Sequence, residues 1–167
     1  MIKKFFDPDY MEKDIFCINY KSLYENNIRG LIFDIDNTVI AYDNFLIDEK
    51  TRNLFKELNK KKFMICFLSN NKEKRVLKFS KEFKIYAFHG ALKPLPFVLK
   101  KAIKYFKLQR NQIVLIGDQI FTDILCGKIC GIKTILVNPI KLSLSRVEKF
   151  KRWIEKKILE FLNNKRT

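Results

Sequence analysis

Leu31-Ile32-Phe33-Asp34-Ile35-Asp36-Asn37-Thr38 is an apolar run that breaks into acid. Its first half has the length and the Ile/Phe content of a strand buried on both faces. Two aspartates follow, one residue apart, where the chain leaves the strand. A second run, Ile113-Val114-Leu115-Ile116, ends the same way in Gly117-Asp118, with Asp123 five residues further on. Around these two runs, helix and strand patterns alternate. Leu54, Phe55 and Leu58 share one face of a predicted helix over 49–61, and 63–68 is a further buried strand closed by Ser69-Asn70-Asn71. A helix over 72–83 and a short strand over 85–88 follow. Pro94 and Pro96 then open a helix to about residue 106. Residues 120–130 read as a helix stopped by Gly131, and 133–137 as the last strand.

Apolar strands separated by helices predict an α/β fold: a single doubly wound parallel sheet with helices on both faces, in one domain. Residues 29–140 form its core, and 1–28 read as an N-terminal elaboration packed on the sheet. Residues 145–163 read as a basic amphipathic C-terminal helix.

Length and composition narrow the function. A chain of 167 residues with 47% hydrophobic content buries a real core. No apolar run reaches the roughly 20 residues that span a bilayer. The first nine residues lack the apolar segment of a signal peptide, so the expected compartment is the cytoplasm. The four cysteines have no C-x-x-C spacing, and with one histidine they cannot build a typical zinc site; they read as reduced thiols. The charge, 34 basic minus 18 acidic residues, is +16. Such an excess suits a polyanionic partner, an anionic membrane surface or nucleic acid, and equally a Lys-rich composition with no partner.

The chemistry is at the strand ends. In open α/β sheets, ligands bind beyond the carboxyl ends of the strands where strand order reverses. If the strand before Asp34 neighbours the one before Asp118, then Asp34, Asp36 and Asp118 converge there. Clustered carboxylates call for a cation, and oxygen-only ligands suit Mg2+. One of the paired aspartates can act as nucleophile on phosphorus. The other can protonate the leaving oxygen and later activate water. Ser69 and Asn70, before a helix, offer donors for phosphate, and Lys93 a fixed positive charge.

Asp34-Ile35-Asp36-Asn37-Thr38, Ser69-Asn70-Asn71, Lys93-Pro94 and Gly117-Asp118-Gln119-Ile120-Phe121-Thr122-Asp123 resemble the four ordered motifs of the haloacid dehalogenase superfamily, over about residues 29–140. That resemblance implies Asp34 as the nucleophile and Asp36 as general acid/base, its backbone carbonyl also binding Mg2+. It further implies Ser69 and Asn70 on phosphate, Lys93 on phosphate and nucleophile, and Asp118 on the metal. Asp123 becomes a further metal ligand or a partner of one. Having Asp36 points to phosphoryl transfer rather than dehalogenation.

Neither 38–63 nor 71–93 has room for a cap domain, so the site is expected to lie uncovered and to take a bulky substrate or use a partner surface as its lid. The opening Asp7-Pro8-Asp9-Tyr10, the Asp-x-Asp-Asn-Thr motif and the basic last helix are similar to the small YqeG-type branch. That branch is related to mitochondrial phosphatidylglycerophosphate phosphatases, which implies a lipid phosphate substrate and a peripheral place on the inner face of the membrane. In the last helix Val147, Phe150, Trp153, Ile154, Ile158, Phe161 and Leu162 recur at helical spacing, and 145–167 carries eight basic and three acidic residues, +5. The simplest reading packs this stripe against the sheet; a helix of this kind can also lie on anionic lipid. Two alternatives stand beside the lipid substrate. One is a phosphatase for a nucleotide, sugar phosphate or phosphoprotein. The other is a non-enzymatic RNA- or ribosome-binding module, disfavoured because no RNA-reading motif is present.

Overall fold

The computed structural model of the chain describes residues 3–44, 46–141 and 145–163. Its six strands are β1 (Tyr10–Glu12), β2 (Gly30–Phe33), β3 (Met64–Leu68), β4 (Tyr86–Phe88), β5 (Ile113–Gly117) and β6 (Lys133–Val137). They form one parallel sheet in the order β1-β6-β5-β2-β3-β4. Every residue of β2 and β5 is buried, because these strands lie in the middle with a helical layer on each side. Leu31, Phe33, Ile65, Phe67, Val114 and Ile116 share one core, with helices α2 (Tyr20–Glu25), α3 (Glu49–Lys60) and α4 (Glu73–Phe83). Ile32, Cys66, Leu68, Ile113 and Leu115 face the other way, onto α5 (Phe97–Phe106) and α6 (Leu125–Cys130). The short α1 (Lys3–Phe6) and the long α7 (Arg146–Asn163) meet near Ile120, Ile124 and Leu136. Among the described residues only α3 lies between β2 and β3, and only α4 and β4 between β3 and α5, so neither stretch inserts a cap domain.

Two elements differ from the sequence pattern. Within 1–28, Tyr10–Glu12 is itself a strand, added at the sheet edge beside β6. Three residues that are mostly exposed carry no periodic signal. A polar anchor fixes this strand instead: Asp9 Oδ2 accepts from Thr134 N (2.7 Å) and Thr134 Oγ1 (3.0 Å) and pairs with Lys128 Nζ (2.8 Å). The predicted helix over 120–130 is also not uniform. Ile120–Ile124 is a wide π-type turn, in which the Ile124 N–H donates to Gln119 O (3.2 Å), before α6 begins. Such turns re-aim a side chain within a helix. Here the side chain is that of Asp123. No described helix is long and apolar enough to cross a membrane.

Packing beneath the site is aromatic. Phe55 of α3 meets Phe33 (5.1 Å between ring centroids), Phe67 (5.3 Å) and Phe83 (4.8 Å), all edge-on. Phe55→Ala removes the centre of this cluster and leaves a cavity that the three remaining rigid rings cannot collapse to fill. It is expected to cost about 3–5 kcal/mol. Urea denaturation checks this: the midpoint should fall strongly at an unchanged slope, whereas a loss under about 1 kcal/mol would mean the cluster repacks.

Candidate active site

The strand order reverses between β2 and β5. The chain leaves β2 toward β3 and β4 and leaves β5 toward β6, so the loops after these neighbours part and open a crevice. Asp34 stands at its edge, its N–H still bonded to Ile116 O (2.9 Å) as if the strand continued. The chain then turns sharply through Asn37 (φ 64°), and Ile35 accepts from the N–H groups of Val39 and Ile40. That turn places Thr38 Oγ1 3.1 Å from Asp34 Oδ2 and 3.4 Å from Asp118 Oδ1.

Lys93 arrives from the loop after β4, and its ammonium is enclosed. Nζ donates to Asp34 Oδ1 (2.5 Å), Asp123 Oδ1 (2.6 Å) and Leu68 O (3.1 Å), which uses all three protons. Asn70 holds the Lys93 backbone on both sides, accepting from its N–H at 2.7 Å and donating to its carbonyl at 3.3 Å. Asp123 can come this close only because residue 117 is glycine: a Cβ there would sit 2.3 Å from the Asp123 carboxyl carbon. The Asp123 Oδ2 accepts from Gln119 N at 3.1 Å, so both its oxygens are engaged.

Asp118 is held from outside. Arg152 of α7 donates to both the Asp118 Oδ2 and its backbone carbonyl. Lys151 Nζ reaches Gln119 Oε1 (2.6 Å), and buried Glu155 accepts from Phe121 N (3.1 Å). The C-terminal helix is therefore bolted to the 118–121 loop.

Asp34, Asp118 and Asp123 bring carboxylate oxygens within 4.8 Å of one another, all buried. Burial raises the pKa of Asp34 well above the usual carboxylate range, against the pull of Lys93 and with the push of Asp123 and Asp118. Burial likewise raises Asp118 to about 6, with Arg152 opposing. Burial alone would lower Lys93, but Asp123 and Asp34 outweigh it and keep it charged. Three buried carboxylates face two cations, Lys93 and an Arg152 that Glu155 also shares, so the ionised cluster carries an excess of negative charge. Asp34 Oδ2 and Asp118 Oδ1 turn toward the same point beside Thr38. Hard oxygens on an anionic floor suit a divalent cation such as Mg2+, and the residues present fit one.

The predicted residues do not all join this cluster. The Asp36 carboxylate lies apart, paired with Arg75 of α4 through Oδ1 (2.8 Å from Nε) and contacted at Oδ2 by Ser69 Oγ (3.3 Å) and Asn71 Nδ2 (3.4 Å). The Asn70 side chain is committed to the Lys93 loop, and the N–H groups of Ser69 and Asn71 donate to Phe88 O (2.9 Å) and Ser69 Oγ (3.0 Å), so the 69–71 turn can offer the Asn70 N–H and, once turned from Asp36, the Ser69 hydroxyl. Thr38, Arg75 and Arg152 are contacts that sequence reasoning did not assign. Thr38 lies within the aspartate motif and Arg75 is one helical turn beyond Asn71, which is a usable signal. Arg152 is 34 residues from Asp118 and carries none.

Comparison with known proteins agrees with this geometry. A HAD-hydrolase-like family model matches residues 91–153. The chain is 36% identical over 165 residues to the Bacillus subtilis protein named "Probable phosphatase YqeG", covering 99% of this chain and 96% of that one. It is 25% identical to phosphatidylglycerophosphate phosphatase 1 of Arabidopsis thaliana, over 92% of this chain and 50% of the plant protein. The fold is shared with the cobalt-bound deoxy-D-mannose-octulosonate 8-phosphate phosphatase of Haemophilus influenzae, at a TM-score of 0.53 and 16% identity, over 83% of this chain and 88% of that one.

The raised Asp118 pKa has a consequence for stability. A carboxyl whose pKa is higher folded than unfolded penalises the fold above its folded value, and the penalty fades as pH falls from about 6 toward 3.8. Asp118→Asn should therefore stabilise the metal-free protein at pH 7.5, by about 1–3 kcal/mol, with the gap closing near pH 4. Denaturation of both proteins in EDTA at the two pH values checks this. A wild type more stable than the variant at pH 7.5 would contradict it.

Proposed function

This chain belongs to the YqeG-type phosphatase family of the haloacid dehalogenase superfamily, and on that premise we propose that it hydrolyses a phosphate monoester through a phosphoryl-enzyme intermediate on Asp34. The observation that carries the reading is the buried ammonium of Lys93, fixed between Asp34 and Asp123 with Asp118 across Thr38. An Mg2+ held by Asp34, the Asp36 carbonyl and Asp118 would neutralise charge on the phosphoryl oxygens, with Asp123 bracing Lys93 and the 117–119 turn.

The chain's own groups divide the work. Lys93 holds the Asp34 carboxylate in one orientation, so it meets phosphorus without a search. The Ser69 hydroxyl and the Asn70 N–H receive the other phosphoryl oxygens. The bond from Asp34 to phosphorus forms as the bond to the leaving oxygen breaks, and Asp36 delivers the proton to that oxygen. Asp36 then takes a proton from the water that cleaves the acyl phosphate, which returns Asp34 and releases phosphate. For the first step the resting pair between Asp36 and Arg75 must open and Asp36 take up a proton from solvent, which it then delivers to the leaving oxygen.

For the substrate we infer phosphatidylglycerophosphate, the lipid in the name of the Arabidopsis relative, and with it a cytoplasmic enzyme that works at the inner face of the membrane. The uncovered crevice supports this, because a lipid headgroup presented from a surface needs no cap to exclude water. Phosphate release from this lipid in mixed micelles, with and without EDTA, is the test. Asp34→Asn should lose roughly 10³-fold or more in kcat, and EDTA should abolish turnover that Mg2+ restores. Higher kcat/KM on soluble phosphate esters than on the lipid would overturn the substrate and leave the chemistry standing.

A further inference from the structure

The stripe along α7 does not all face the protein. Leu162 and Glu155 are buried and Leu159 is partly so, but Val147, Phe150, Trp153 and Phe161 are exposed, Trp153 at 57%. Phe150 and Trp153 stack on one another (6.0 Å, 18°) rather than on the sheet. They lie within two residues of Arg152, which grips Asp118. Other exposed apolar side chains stand on the loops after neighbouring strands. Leu92 precedes Lys93, Phe97 opens α5 at 67% exposure, and Leu46 follows the Asp34 turn. Ile140 follows β6 and donates its N–H to Asn37 O (2.9 Å). Leu46, Leu92, Phe97 and Ile140 follow the carboxyl ends of strands, the edge at which the site opens, and Phe150 and Trp153 flank the Arg152 that reaches Asp118 there.

We propose that this carboxyl-end rim, with Leu46, Leu92, Phe97, Ile140, Phe150 and Trp153 as its apolar contacts, is a docking surface for an anionic phospholipid bilayer. The bilayer then closes the crevice in the way a cap domain would. The proposal deepens the reading of a membrane-held substrate and rests on it for its purpose, but the docking itself needs no phosphate monoester. Scattered exposed apolar residues are ordinary; six large ones ringing one uncovered anionic site are a patch that marks an interaction surface. Exposed Lys100 and Lys149 lie on α5 and α7 with Phe97, Phe150 and Trp153, in a chain of net charge +16, which complements anionic headgroups. The aliphatic members favour lipid over RNA. Leu46, Leu92 and Ile140 offer nothing to a base, and the two α7 aromatics are spent on each other, whereas all six suit the headgroup–acyl boundary.

Trp153 is the single tryptophan of the chain, so its emission reports the docking directly. The full-length protein is titrated with vesicles of phosphatidylglycerol and phosphatidylcholine, with pure phosphatidylcholine vesicles, and with single-stranded RNA. A blue shift with the anionic vesicles alone is expected. The exposed double variant Phe97→Ser/Phe150→Ser should partition onto them at least roughly tenfold less well by sedimentation. Lys61→Ala/Lys62→Ala, at the opposite edge of the sheet, should partition as the wild type does. Unshifted emission with anionic vesicles, a shift with RNA in their place, or an equal loss in the lysine variant would each overturn the proposal. Docking without hydrolysis of phosphatidylglycerophosphate would instead count against the substrate, and hydrolysis in micelles without docking against the rim.

Discussion

Three carboxylates buried in one crevice repel one another, and the ammonium of Lys93 is what lets Asp34 and Asp123 lie side by side. Two like charges about 4 Å apart cost roughly 4 kcal/mol even at an effective dielectric near 20. Burial adds to that by stripping their water. Much of the local structure serves to keep Lys93 where it is. Asn70 pins its backbone, Leu68 takes its third proton, and Gly117 gives up a side chain so that Asp123 can reach it. The π-type turn after β5 belongs to the same arrangement, since it aims Asp123 back under the strand end.

Arg152 plays the corresponding part for Asp118, and it does so from the last helix. The outer oxygen of Asp118 belongs to Arg152 and the inner one faces Thr38. A ligating carboxylate held in this way keeps its orientation, much as partners behind metal ligands fix them in other sites. The same helix bears the exposed stack of Phe150 and Trp153 on its outer side. One element therefore touches both the site and the surface around it.

Much of this was legible in the chain, and what was not had a physical reason. β2, β3, β5 and β6 announce themselves as apolar runs because a strand buried on both faces admits a polar residue only where a partner meets it, as Asp9 meets Thr134. Asp34 and Asp118 converge as their places at strand ends imply, once the sheet puts β2 beside β5, whereas Asp36 turns aside to Arg75 and Asp123 joins the pair from the π-type turn. β1 was hidden because Asp9, Thr134 and Lys128 hold it by polar contacts that leave no periodicity. Arg75 and Arg152 were hidden among 34 basic residues, where only the fold distinguishes an arginine that reaches a carboxylate from one that faces water. The α7 stripe shows the limit of periodicity. Helical spacing identifies which residues share a face, and it is silent on whether that face meets protein or solvent.

The central claim is that phosphorus becomes bonded to Asp34 before water releases it. Acid quenching during turnover of a 32P-labelled substrate, followed by peptide mapping, examines that bond itself. The label is predicted on the peptide containing Asp34, as an acyl phosphate cleaved by hydroxylamine. Label on a different residue, or transfer to water with inversion at phosphorus and no labelled protein, would contradict the account.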